Sequence, residues 1–187
     1  MPPQRLSPAH RHRINGTPRF TVANALTTSG EYRSILITAS YRAYLGRQPD
    51  PAGLAGWLNF VNTSGTIVQM DTGLLGSTEY YLKTGATPSG FIASLYVDTL
   101  HRVPSSGEVL AWVAYLNTGV SRDQVALQFL RSTEHLQTVV DGYYMTFLHR
   151  APDPIGRQAW VRALQTGARN ETVIAAIIAR DEYYLLP

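Results

Sequence analysis

No cysteine occurs among the 187 residues, which excludes disulfides and thiolate metal sites. Lys83 is the sole lysine; the other fifteen cations are arginines. No stretch approaches the ~20 apolar residues of a membrane helix, so membrane insertion is not expected. Acidic residues are missing from 1–19, which hold Arg5, Arg11, Arg13 and Arg19 with His10 and His12. The formal net charge is +3, and setting those four arginines aside leaves the rest near −1. The basic character therefore belongs to this segment and not to a face of the fold. The segment also lacks the apolar centre of a signal peptide, and a flexible basic tail is expected over 1–19. Nucleophile motifs, phosphate loops and HExxH are all lacking. No catalytic residue, cofactor or metal ligand is assigned, and the chain is expected not to be an enzyme.

What is present is one phrase written three times: "YLGRQPDPAGLAGW" from Tyr44, "TLHRVPSSGEVLAW" from Thr99 and "FLHRAPDPIGRQAW" from Phe147. Aligned on Arg47, Arg102 and Arg150, the copies share a tyrosine six residues earlier (Tyr41, Tyr96, Tyr144). A tryptophan follows ten residues later (Trp57, Trp112, Trp160) and a glutamate thirty-two later (Glu79, Glu134, Glu182). The period is 48 residues, lengthened to 55 between the first two copies by the Gly/Pro/Ser/Thr stretch 83–90. Glu31 precedes Glu79 by the same 48, so a partial copy stands first. Repetition at fixed spacing is the signature of an array of small supersecondary units.

Apolar residues recur at helical spacing in each copy, as in Ile37, Tyr41, Tyr44 and then Leu54, Trp57, Leu58, Val61. Between them Gly-Arg-x-Pro breaks the helix, and Asp50-Pro51 or Asp153-Pro154 restarts it with an N-cap acceptor before a proline. Ser105 with Glu108, Thr66 with Gln69, and Ser121 with Gln124 read as capping boxes. The expected fold is all-α: a tandem array of three ~48-residue three-helix units, preceded by a partial unit and the tail. The divisions are 1–19 tail, 20–31 partial repeat, 32–82 repeat one, 83–90 linker, 91–138 repeat two and 139–187 repeat three. The linker would let repeat one sit apart from the other two.

The tryptophans lie on apolar faces and read as the buried core of each unit. The arginine and glutamate read as a bidentate pair tying the corner to a helix end. If buried, such a pair is strongly destabilised by loss of one partner. His101 and His149, at Gly46's place, read as helix-end residues. Tyr81, Tyr143 and Tyr184 belong to consecutive aromatic pairs, of which one ring should face outward; such rings suit glycan or protein contact. The tail arginines suit weak attachment to nucleic acid or another anionic surface.

The phrase and the closing "GSTEYY" and "ARDEYY" resemble the bacterial domain-of-unknown-function 4214 repeat family, over roughly residues 20–187. That family is similar to the helical linker domains of phycobilisomes. The resemblance implies a structural, adhesive or scaffold module of a bacterial surface layer, filament or other large extracellular assembly, with protein partners or self-association. Carbohydrate binding through exposed tyrosines is the alternative. Copies two and three depart from the family pattern at His101 and His149, and copy two at Ser105-Ser106.

Overall fold

The computed structural model describes residues 13–14 and 17–184. Arg5 and Arg11 of the expected tail lie outside them. Arg13–Ile14 and Thr17–Pro18 pair as a two-residue antiparallel ladder. Among the described residues, everything regular after Pro18 is helical: α1 (Arg19–Thr27), α2 (Gly30–Ser40, continued to Leu45 by a π-type turn), α3 (Pro51–Thr63), α4 (Ile67–Gly76), α5 (Thr78–Lys83), α6 (Pro88–Leu100), α7 (Ser106–Leu116), α8 (Arg122–Arg131), α9 (Thr133–Leu148), α10 (Pro154–Gln165), α11 (Asn170–Ile178) and α12 (Asp181–Tyr184). The all-α expectation is met.

The helix starts are set by local chemistry. The Asp50 carboxylate accepts from the Gly53 N–H at 2.9 Å, and that of Asp153 from Gly156 at 2.8 Å, each before a proline in the first turn. Thr66/Gln69, Ser105/Glu108 and Ser121/Gln124 form complete capping boxes. Within 83–90, Lys83 still closes α5, while Thr87 caps α6 and Pro88 begins it. The inserted residues thus interrupt what is, at Thr133–Leu148, one uninterrupted helix joining two copies. Gly46, His101 and His149 end the preceding helices in the left-handed region, at φ +71°, +54° and +53°. Glycine takes this conformation freely, whereas a Cβ makes it cost about 1 kcal/mol. His101→Gly and His149→Gly are each expected to stabilise by up to about 1 kcal/mol. Urea midpoints that rise with unchanged slope would bear this out; a fall would contradict it.

The compact units are not the 48-residue copies. One unit is residues 33–138; the other is 1–32 with 139–187. In the first, α4 of copy one packs on α8 of copy two. The two run antiparallel: a Cβ on Gly76, at the end of α4, would meet Asp123 in the first turn of α8. The Arg122 guanidinium lies 4.4 Å from the centre of the Tyr81 ring. Around this pair Ile37, Met70, Leu75, Phe91, Ile92, Leu95, Val125 and Leu130 form one fully or nearly fully buried core. The 83–90 stretch therefore does not detach copy one, because its third helix is buried against copy two.

The second unit repeats the pairing with different copies. The partial copy's helix, α1, packs on α11 of copy three. Thr27 at the end of α1 donates to the Glu171 carbonyl at the start of α11, 3.0 Å away. Arg19 at the other end lies 4.3 Å from the centre of the Tyr184 ring. Arg19 and Arg122 occupy the same register position in their copies, as do Tyr184 and Tyr81. One arginine–tyrosine stack thus marks the same antiparallel helix pair in both units. Val140, Tyr144, Leu148, Val161, Val173, Ile174 and Ile177 fill the core.

Candidate functional site

The repeated residues converge on one arrangement in every copy. The tryptophan Nε1–H donates to the hydroxyl of the tyrosine six residues before the arginine: Trp57 to Tyr41 at 3.0 Å, Trp112 to Tyr96 at 3.1 Å, Trp160 to Tyr144 at 3.2 Å. The arginine lies over the same tyrosine, with its guanidinium carbon 5.1, 4.7 and 5.3 Å from the ring centre. Its Nε and Nη2 hold the glutamate with two parallel bonds. Arg47 reaches Glu79 at 2.5 and 2.8 Å, Arg102 reaches Glu134 at 2.6 and 3.3 Å, and Arg150 clasps Glu182 likewise. Two helices and the corner between them are thereby tied to the helix that follows α4, α8 or α11.

The burial order differs from the sequence expectation. The three tyrosines are buried, at 5, 5 and 0% exposed, while the three tryptophans are only half-buried. An indole whose one N–H must reach the tyrosine hydroxyl lies over the corner, and the phenol beneath it fills the core. The arginine–glutamate pairs are surface pairs, with side chains 42 and 46%, 38 and 46%, and 40 and 35% exposed. Their contribution is that of a well-oriented but solvated clasp with a cation–π contact, not of a buried ion pair. Each glutamate is held below its ordinary pKa where a shift is resolved, chiefly by the arginine hydrogen bond, in Glu79 and Glu182.

Copy two adds a second carboxylate. Glu108 stands where the other copies have Gly53 and Gly156. It receives Arg102 Nη2 at 2.7 Å and Nη1 at 3.2 Å, and the Ser105 N–H at 2.8 Å. These bonds, led by that of Arg102, pull its pKa down to about 2. In copies one and three Nη1 instead donates to the next backbone carbonyl, of Gln48 or Ala151. Arg102→Ala is expected to lower the melting midpoint more than Arg47→Ala, and the gap to shrink in 1 M salt. Equal midpoints in low salt would contradict this.

The candidate interaction residues are mostly engaged. Arg19 pairs with Asp181 at 2.5 Å as well as stacking on Tyr184. Arg13 contributes backbone to the short ladder. Tyr81 carries Arg122 on its ring and packs edge-on to Phe91 at 6.1 Å. Tyr143 accepts from Asn170 Nδ2 at 2.7 Å. Tyr184 is 42% exposed and packs edge-on against Tyr183. Sugar-stacking faces on Tyr81 and Tyr184 are thus each shared with a guanidinium. Among the described residues no group of three His, Asp or Glu is placed to hold a metal ion, and no helix is long and apolar enough to cross a membrane. A shallow depression runs along α10, lined by Ile155, Gln158, Ala159 and Arg162.

Two buried carboxyls escaped the sequence reading. Glu171 opens α11 and is fully buried, with Arg169 Nη1 4.0 Å from its Oε1. Asp71 lies in α4 with Oδ1 buried and, among the described residues, without a hydrogen-bond partner. Burial pushes its carboxyl up to about 7, against the opposing pull of the Ser40 side chain. The register could have found it: the same position holds Ala23, Ala126 and Ile174 in the other copies, all buried.

The fold and the clasp define an all-helical repeat protein whose signature residues brace helix corners. Residues 71–139 match the model of the family described as Domain of unknown function (DUF4214). The match opens inside α4 and ends inside α9, so it takes in the second half of α4, all of its partner α8 and the whole copy-two clasp. No curated protein and no solved structure matches the chain.

Proposed function

We propose that the protein is a non-enzymatic structural or scaffold module of a large bacterial assembly, in a surface layer, filament or comparable extracellular structure. The observation that carries this reading is the threefold clasp. In all three copies the distinctive polar and aromatic side chains are spent on one another, bracing a corner, and none is left converging on a common cleft. Large apolar side chains meanwhile stand outward in every copy: Leu82, Val103, Leu110 and Ile155 are 62 to 82% exposed. Outward apolar residues on a braced frame suit attachment to protein partners. The extracellular setting rests on the family resemblance of the repeated phrase.

Light scattering after size exclusion, on the full chain and on a variant lacking 1–19, together with native mass spectrometry of material from the source, tests the proposal. Recovery in a stoichiometric higher-order complex is expected. A strict monomer in both forms, with no partner retained from the source, contradicts it.

A further inference from the structure

Helices α1, α4, α8 and α11 share one register, so Leu26, Leu74, Phe129 and Ile177 are equivalent. Leu74, Phe129 and Ile177 are 4, 3 and 0% exposed, whereas Leu26 is 62% exposed. One turn earlier, Met70, Val125 and Val173 are buried, while Val22 is only half-buried. The reason is visible in copy two. Phe129 packs against the rings of Tyr96 and Trp112, with centres 4.9 and 4.8 Å away, both from the first two helices of its own copy. In copy one a Cβ on Gly73, beside Leu74, would lie 3.2 Å from the Trp57 ring. The segment before α1 has neither tryptophan nor tyrosine in residues 1–18. Among the described residues α1 is paired on its α11 side, while Leu26 on its other side stays largely in solvent.

We propose that the Val22–Leu26 stripe of α1 is a docking site for a helix pair carrying the Tyr…Arg-x-Pro…Trp phrase, supplied from outside residues 1–187. The occupant follows from the register. In copy two this position is covered by that helix pair, whose tyrosine and tryptophan both meet Phe129, and in copy one the tryptophan ring lies against the neighbouring Gly73. The donated pair would place its indole and phenol over Leu26 as Trp112 and Tyr96 lie over Phe129. This deepens the assembly reading, on which it rests, by naming a joining surface and the kind of segment it takes.

The absence of cysteine permits a direct test. Leu26→Cys places the only thiol on the stripe, and Leu74→Cys supplies the slow, covered reference. The helix pair of copy one, residues 30–65, is appended ahead of Met1 through a flexible Gly/Ser linker. With an effective concentration of ~1 mM and a Kd of ~0.1 mM, docking slows the reaction of the Leu26→Cys thiol with an aromatic disulfide by about tenfold. Trp57→Ala in the appended pair alone is expected to restore the fast rate. An unchanged rate with the intact pair, or equal protection by the pair lacking its tryptophan, overturns the assignment. Leu26→Glu separates this inference from the broader reading. If native complexes persist undiminished in that variant, the stripe is not the joining surface while the assembly reading stands. If the native chain forms no complex, the assembly reading falls and the thiol rates still decide whether the stripe takes such a pair.

Discussion

Asp71→Asn is expected to stabilise the protein by roughly 4 kcal/mol at pH 8 and by almost nothing at pH 4. Asp71 is half-buried with its Oδ1 out of solvent, and burial of the carboxyl raises its pKa from 3.8 to about 7. The folded state therefore holds a proton that the unfolded state has lost throughout the interval between those values. Stability associated with this group is complete below the unfolded pKa and drains away as pH rises through about 7. Glu79, Glu108 and Glu182 act with the opposite sign, since their depressed pKa values give stability that is lost on acidification. The difference between wild type and Asp71→Asn isolates the Asp71 carboxyl from them. Urea unfolding of both proteins from pH 4 to 8 measures it: diverging curves are expected, and parallel ones would refute the buried-carboxyl account. Asp71→Ala, which installs the residue of copy two's Ala126, should follow the same pH course.

Phe129→Ala is expected to cost about 3–5 kcal/mol, and Leu26→Ala less than about 0.5 kcal/mol, although the two residues are register equivalents. Phe129 is 3% exposed and meets Tyr96 edge-on and Trp112 at a tilt, so truncation opens a cavity under two rings and removes both aromatic contacts. Leu26 is already 62% in solvent and loses little on truncation. Chemical denaturation of each single variant compares them. Similar losses at both positions would mean that Leu26 is covered in solution, and that α1 has its aromatic lid from within the same chain.

The residues that repeat were legible from spacing alone because they act within a short distance of chain. Thr66 with Gln69, Ser105 with Glu108 and Ser121 with Gln124 announce their helices through bonds spanning three residues. The thirty-two-residue interval from Arg47 to Glu79 recurs because both ends of one clasp must meet. Partnership between copies is a different kind of fact. Apolar periodicity tells which side of α4 is covered, and says nothing of whether α8 or another helix covers it. The tryptophans were expected to form the buried core of each unit because they lie on the apolar helix face. The single N–H of an indole and the smaller footprint of a phenol reverse that order, leaving Tyr144 at 0% exposure beneath a half-buried Trp160. Asp71 and Glu171 passed unnoticed because they are departures from the repeat, and alignment on shared residues draws attention away from departures.

The pairing of α1 with α11 fixes an order of events during synthesis. Everything needed for the unit at 33–138 has left the ribosome while copy three is still being made. α1 ends at Thr27, yet its partner α11 ends at Ile178. At about 5–20 residues per second, α1 waits on the order of ten seconds for α11. During that interval α1 has both of its apolar sides unpaired, which makes the nascent chain most open to recruitment by a neighbour before it can close upon itself.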